Sequence, residues 1–555
     1  MPSTLITIAS NSNQSVKAPI VLPSLNSGPA YHSHIIKVAK DKLRLKKPSR
    51  IFLQGGRELT PNTEWSNALE KNVVLLVSIG EDYVGNKTED APSAHPDANP
   101  KCPVNLLANT AFVDTESTKQ LETTARTLPG IVHAVGQPDL HPGTKFPIGA
   151  VFVSRGWIHP PLIGGDIGCG MAWYKTNLSR SHVEGDKGKK IADKLRGLEG
   201  PWCDQRTRMI WLETDGATGS DYSAGEEWDK ALGTVGAGNH FAELQVVEKS
   251  GMKLSNTHDG NEGLFEDEVV LLVHSGSRGY GGDILKRFTK DGRNSIHEND
   301  LFAKEYLDAH DRACAWASRN RDLIALRFLS CLEPGEWTFQ SGSSEASLET
   351  YEQEIRSVRE AVQRRKVVDI YHNNVEATIW NPHNDAEPPA QKAYIHRKGA
   401  APTHNPQTAT ALSILPLPGS RATPTLILRP IFGNPNSNGT TNAFSLAHGA
   451  GRAMSRAKAA EYVAGKYSGR SDDLLRGDFV RSDKKGNKQA PAECRDGRDV
   501  KGGCWVVCED KELVWEEAPE AYKNVFDVAD DLVAKGCAEI VGWCRPLVSY
   551  KIRRE

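Results

Sequence analysis

The sequence predicts an α+β fold in two bodies: a small α+β module over residues 1–86, a linker over 87–101, and a mixed α and β catalytic domain with a central sheet core over 102–555. Three observations lead there. At 555 residues the chain exceeds what one hydrophobic core usually organises. Apolar runs stop at the polar stretch NKTEDAPSAHPDANPK, which cannot bury enough surface to order itself. From about Cys102 onward, short β-type runs such as AVFVS and VVLLVHSG recur beside glycine clusters, the texture of an enzyme whose chemistry sits on loops between strands.

Within the first body, Ile35 to Val84 reads as IIKVAKDKLRLKK, RIFLQGGREL and NVVLLVSIGEDYVG, room for a helix and two or three strands with a turn at Gly55-Gly56. That pattern resembles a ubiquitin-like, β-grasp module. In the second body, NDLFAKEYLDAHDRACAWASRNRDLIALRFL and SLETYEQEIRSVREAVQRRKVVDIYHN carry helical periodicity, and VFDVADDLVAKG is an amphipathic helix ending at a glycine cap. KLSNTHDGNEG, NPHNDAEPP and the run from Gly469 to Gly503 read as surface insertions.

Composition bounds the function without naming it. Hydrophobic residues at 38% and charged residues at 25% are ordinary for a globular protein. A net charge of −2 gives no basic excess, so any polyanion site has to be a local patch. Lys37 to Arg50 is a basic run, read as a solvated helix face, with RNA contact or nuclear entry as the alternatives. No run of eighteen apolar residues occurs and MPSTLITIASNSNQS lacks a secretory pattern, so the expectation is a cytoplasmic protein, or a nuclear one, with no membrane partner. The ten scattered cysteines read as reduced thiols.

The informative words are GGDIGCGM, GTVGAGNHFAELQ, VHSGSRGYGG, DIYHNN, HRKGA and LAHGAGRAMSR, all but DIYHNN pairing a ligand or nucleophile with glycines. Asp166 and Cys169 lie three residues apart on a glycine turn; His240 and His372 each sit beside an asparagine, and His274 stands two residues before Gly276. Together they make an oxygen, sulfur and nitrogen donor set that suits a borderline transition metal better than magnesium; two ions about 3.5–4 Å apart suit phosphoryl chemistry. Singly, each histidine reads as a surface or hydrogen-bonded residue and Cys169 as a small buried hydrophobe; recurrence is what raises the metal reading.

His448 stands before Gly449-Ala450-Gly451 and Arg452. An accessible imidazole beside a guanidinium attacks a nucleoside triphosphate; equally, the glycines open a helix through AMSRAKAAEYVAG. The chain lacks GxxxxGK[ST], GxGxxG after a strand, and the Lys-x-Asp-Gly nucleotidyl-transfer signature, since Lys290-Asp291-Gly292 has no spacer. Histidine is therefore the better candidate for covalent nucleotide attachment.

From QPDLHPGTKFPIGA through GNHFAE, HSGSRGYG, HGAGR and EEAPEAYKNV to RPLVSYK, the chain resembles the RtcB family of RNA ligases over roughly four fifths of its length. The resemblance implies an RtcB-type α/β catalytic domain and a GTP- and manganese-dependent ligase joining RNA 2′,3′-cyclic phosphate or 3′-phosphate ends to 5′-hydroxyl ends. On motif match, two Mn2+ ions fall to Asp166, Cys169, His240, His274 and His372, and guanylylation to His448, with Asn239 and Arg452 as further catalytic residues. GTP contacts fall to Asn239, Glu243, Asn373, Pro418, Gly419, Ser420, Arg421, Thr425, Gly449, Ala450, Gly451 and Lys551. A carboxylate at Glu243 accepts from N1 and N2 of guanine and is repelled by N1 of adenine. RNA is the implied partner, with an archease-like activator admitted.

GGDIGCGMAWY, HRKGAAPT and PGSRATPT depart from the common wording and resemble the release-factor-H-coupled branch, associated with repair of broken RNA rather than tRNA splicing. Two other functions fit the residues: a metal-dependent RNA cyclic phosphodiesterase or phosphatase without ligation, and a catalytically inactive RNA-binding protein.

Overall fold

The computed structural model describes residues 4–12, 14, 16–23, 27–53, 56–61, 65, 69, 73–81, 83–84, 95–214, 222–251, 263–337, 348–381, 391–405, 408, 410–476 and 503–552. Gly55, most of the 87–101 linker and most of the three expected insertions lie outside these residues; the start of the third, over 469–476, is described and is not a surface excursion throughout, because Leu474 is buried with Val463 and Val506. The chain divides into two units, Met1–His95 and Pro96–Glu555. Among the described residues no helix is long and apolar enough to cross a membrane, and the nine described cysteines are free thiols.

The first unit is a four-stranded sheet with one helix. Strands Thr4–Ser10 and Lys17–Leu22 form an antiparallel hairpin, Val74–Ser78 pairs parallel with the first, and Arg50–Leu53 pairs antiparallel with Val74–Ser78. Helix Gly28–Lys42 buries Tyr31, Ile35 and Ala39, spaced at four, against Ile6, Ile8, Ile51, Leu75 and Val77. The opening hairpin extends the sequence reading, which began at Ile35. Its signal is the alternation of TLITIAS, which buries Ile6 and Ile8 while Leu5 stays exposed.

In the second unit two sheets share one core. The larger has eight strands: Lys366–Tyr371, Gly170–Ser179, Glu268–Ser275, Phe241–Ser250, Ala538–Tyr550, Thr425–Pro430 and Leu415–Pro418 in order, with Trp505–Val507 pairing off Ala538–Tyr550. The smaller runs Asn373–Trp380, Gln391–Lys398, Ile148–Ser154, Ile131–His141, Val104–Leu106. Val135, Val151 and Ile395 of the small sheet join Met171, Trp173 and Leu272 of the large one in a single buried cluster. The large sheet's other face, through Ala172, Tyr174, Leu271 and Val273, takes Trp316 and Leu323 of helix Leu301–Leu332 and Ile355 and Val362 of helix Leu348–Arg365. Burial on both faces explains why EVVLLVHS carries the unbroken apolar run VVLLV rather than an alternating pattern.

The expected helices form, with one difference: the second stops at Arg365, and KVVDIY becomes the strand Lys366–Tyr371. Its β-branched pair Val367-Val368 favours the pleated surface over helix. VFDVADDLVAKG is helical over Val525–Ala534, and Gly536 takes φ 66 just beyond it.

The long helix approaches the larger sheet closely, because a Cβ on Gly168, at φ +71, would lie 2.8 Å from Cys314 Cα. There the adjacent, buried Asn320 and Arg321 grip the backbone. Arg321 Nη1 donates to the carbonyls of Gly168 and Ser275, both at 2.9 Å, while its Nε donates to Asp369 at 2.7 Å. Asn320 accepts from Gly233 N at 2.7 Å and donates to Ser275 Oγ at 3.1 Å. One guanidinium therefore ties together the segments that precede Cys169, follow His274 and lead to His372. Removing it leaves the Gly168 and Ser275 carbonyls without this donor and Asp369 with Ser318 and Lys366 alone, so Arg321→Met is expected to cost about 2–4 kcal/mol. The shift of the urea unfolding midpoint measures this, and a loss under about 1 kcal/mol would mean the tie is not structural.

Candidate active site

Strand register assembles the donor cluster. His274 lies opposite Phe241 on one neighbouring strand and opposite Met171 on the other, and Gly170 lies opposite both Ser275 and Tyr371. Residues just outside these pairs, His240, Cys169 and His372, are thus brought to one end of the sheet. The Cys169 sulfur has His240 Nε2 at 3.2 Å, His274 Nε2 at 3.4 Å and His372 Nε2 at 3.2 Å. His274 and His372 meet at 3.3 Å, and Asp166 Oδ2 lies 2.7 Å from His240 Nε2.

Burial sets the proton states. It holds His274 and His372 well below the usual imidazole range, reinforced by the neighbouring imidazoles, so both rings are neutral and keep lone pairs for a cation. Burial and then the Asp166 charge push the Cys169 thiol well up, so thiolate forms only with a compensating positive charge. Asp166 is held down: His240 and Arg278 outweigh the opposing effect of burial. Its Oδ1 is buried without a partner, in space that exists because residue 276 is glycine, where a Cβ would stand 2.3 Å away. An oxygen, a sulfur and three nitrogens, one oxygen unsatisfied, fit a borderline divalent transition metal.

His448 faces this cluster, its ring centroid 4.7 Å from that of His372. Asp139, fully buried at the end of strand Ile131–His141, accepts from His448 Nδ1 at 2.7 Å, which leaves Nε2 as the ring's lone-pair nitrogen. The glycine loop lies close against it: Gly451 takes φ 71, and a Cβ there would meet Asp139 O at 2.3 Å. Helix Arg456–Lys466 starts later, with Ser455 as its cap, so these glycines shape the loop rather than open the helix.

A cavity of about 170 Å³ opens beside His448. Asn239, Glu243, Pro418, Gly419, Ser420, Arg421, Thr425, Gly449, Ala450, Gly451, Arg452 and Lys551 all line it. Asn373 does not; its amide donates to Asp166 O at 3.2 Å and accepts from Gly399 N at 3.0 Å, fixing the turn instead. Burial pushes Glu243 up to about 7 although Gln245, Ser549 and Lys551 pull the other way, and Gln245 bridges it to Thr425 with contacts of 2.8 Å each.

Arg452 lines the cavity but is heavily engaged. It donates to Glu517 Oε1 at 3.0 Å and to Glu516 O at 2.9 Å, and lies over the Tyr522 ring. Glu517, fully buried, also has Arg456 at 3.5 Å and Lys551 at 3.8 Å, and these cations hold its carboxyl below the usual range against the effect of burial. Sequence reasoning assigned no role to Asp139, Glu517 or the Asn320-Arg321 pair. The first two fall inside the quoted words QPDLHPG and EEAPEAYKNV, whose carboxylates were the available signal.

A family model described as tRNA-splicing ligase RtcB matches residues 120–201 and 209–492. The chain is similar to RNA-splicing ligase RtcB2 of Escherichia coli, 31% identical over 448 residues that cover 80% of this chain and 94% of that protein. It is 26% identical over 482 residues to tRNA-splicing ligase RtcB of Thermococcus kodakarensis, covering 76% and 88%. With RNA-splicing ligase RtcB homolog 1 of Entamoeba dispar it shares 25% over 491 residues, covering 77% and 80%. Matched through the segments that build the donor cluster and the glycine loop, the chain belongs to the RtcB family of RNA ligases.

Proposed function

We propose that this enzyme seals RNA ends carrying a 3′-phosphate or a 2′,3′-cyclic phosphate to 5′-hydroxyl ends, consuming GTP through a guanylylated His448. The observation that carries the reading is the Asp139-oriented imidazole set between the donor cluster and the cavity. Asp166, Cys169, His240, His274 and His372 would hold two manganese ions. Bound there, they supply Lewis-acid activation of phosphoryl oxygens and of water.

His448 Nε2 attacks the α-phosphorus of GTP; a P–N bond forms and the bond to pyrophosphate breaks. As the imidazole gains positive character, the Asp139 carboxylate stabilises it and keeps the ring aimed. A 3′-phosphate oxygen of the RNA then takes the guanylyl group, breaking the P–N bond. Finally the 5′-hydroxyl oxygen attacks the 3′-phosphate, releasing GMP and leaving a phosphodiester. Where the end is a cyclic phosphate, water first opens it. Glu243 would accept from guanine, while the Gly449 and Gly451 amides and the Lys551 ammonium would lie beside the phosphates, the Ala450 amide being taken by the Pro418 carbonyl at 3.0 Å. We further propose that the N-terminal unit, helix and mixed four-stranded sheet, is a ubiquitin-like β-grasp module.

Incubation with manganese and α-labelled GTP should label the wild-type protein and leave His448→Ala unlabelled. Asp139→Asn should label about 10²–10⁴ times more slowly, as loss of a proton-holding partner implies. Opening of cyclic phosphate without GTP, unaffected by His448→Ala, would instead make this a phosphodiesterase. Cys169→Ala should lose manganese in equilibrium dialysis; retention of both ions would remove the cluster from the mechanism. Guanine needs Glu243 ionised, so GTP affinity should be full above about pH 7 and fall towards tenfold per unit below it, a dependence that Glu243→Gln abolishes. Calorimetric titration across that range checks it, and a flat wild-type profile would exclude Glu243 from base recognition.

A further inference from the structure

We propose that the surface from Lys37 to Lys47 in the N-terminal unit holds the phosphate backbone of the RNA, whatever its base sequence; this rests on the reading above that the substrate is RNA. Lys37, Lys40 and Lys42 end the helix and Arg44, Lys46 and Lys47 form the turn after it, all six exposed. The one acid from Lys37 to Arg50 is Asp41. Of the unit's other described carboxylates, Glu58 is taken by Arg50 at 2.8 and 2.9 Å, and Glu81 accepts from Asn11 at 3.2 Å and from Ile79 N at 2.9 Å. None of the six cations is ion-paired among the described residues. Residues 1–95 hold 11 Lys and Arg against 8 Asp and Glu, whereas the other 460 hold 57 against 62.

The backbone adds an independent observation. Arg44 and Lys47 take φ 55 and φ 58, the left-handed region where a side chain is disfavoured and glycine or asparagine sits most easily. Long cations occupy both positions against that preference.

The chemistry selects the partner. The helix turns Tyr31, Ile35 and Ala39 into the unit's own core, so it has no apolar face left to insert into a bilayer. No aromatic residue lies between Lys37 and Arg50, so bases have nothing there to stack on. Exposed point charges without stacking platforms suit phosphates, which fix a strand in place without reading it.

The test uses the full chain and the anisotropy of labelled oligouridylate and oligocytidylate across a salt series. Replacing all six cations by Gln should flatten the plot of log affinity against log salt by about 0.7 per lost phosphate contact, equally for both RNAs. GTP labelling of His448 should stay at the wild-type level. Arg44→Gly and Lys47→Gly should weaken RNA binding while leaving Tm at or above the wild-type value, because glycine relieves the backbone. A purely structural role gives a lower Tm with RNA binding intact, and that result overturns the proposal. So does a six-Gln variant that binds with wild-type affinity and slope, or one whose loss is confined to one of the two RNAs. Failure of wild-type protein to take label from GTP would sink the guanylylation reading, while the anisotropy still decides the surface.

Discussion

Three imidazole nitrogens lie within 3.4 Å of one buried sulfur, and this crowding governs the catalytic unit. Lone pairs facing each other in a dry site repel, and water cannot screen them. Burial has already neutralised His274 and His372, so the groups are prepared to donate electrons. Such an arrangement persists only if the surrounding backbone is held stiffly, and the Asn320-Arg321 pair does this from behind by fixing carbonyls rather than the ligands themselves. The Arg321 charge is balanced locally by Asp369, so the support does not place a net cation behind the sulfur.

The same separation of duties recurs at the cavity. Asp139 touches His448 and nothing in its geometry requires it to reach a substrate. Glu517 gathers Arg452, Arg456 and Lys551 around one buried carboxylate, so cations that would repel one another can line the same wall. The cavity is lined by Arg421, Arg452, Arg456 and Lys551 and by the carboxylates of Glu243 and Glu517.

Much of this was legible in the sequence, and the part that was not has a physical explanation. The helix over Leu301–Leu332 and the doubly buried strand Glu268–Ser275 announce themselves by local pattern. Gly168 and Gly451 mark close approaches because no other residue fits there, which is why glycine-flanked histidines pointed to a site. Local reading left His448 balanced between nucleophile and helix start; only the Ser455 cap and the Asp139 contact separate the two. That contact joins residues 309 positions apart, and the Arg321 tie to Gly168 spans 153, distances over which a single sequence has no periodicity to offer. The N-terminal hairpin was missed for the opposite reason: its signal is local but only a few residues long.

The strand Ala538–Tyr550 fills the gap in the large sheet between Phe241–Ser250 and Thr425–Pro430, and pairs with both. As a ribosome makes the chain, both of those strands emerge long before their shared neighbour. Each must wait with one row of amides and carbonyls unpaired, the condition in which nascent β-structure recruits a wrong neighbour. Lys551 follows directly after that strand, so the cavity wall closes last, and a half-made polypeptide has no assembled site with which to act on cellular RNA.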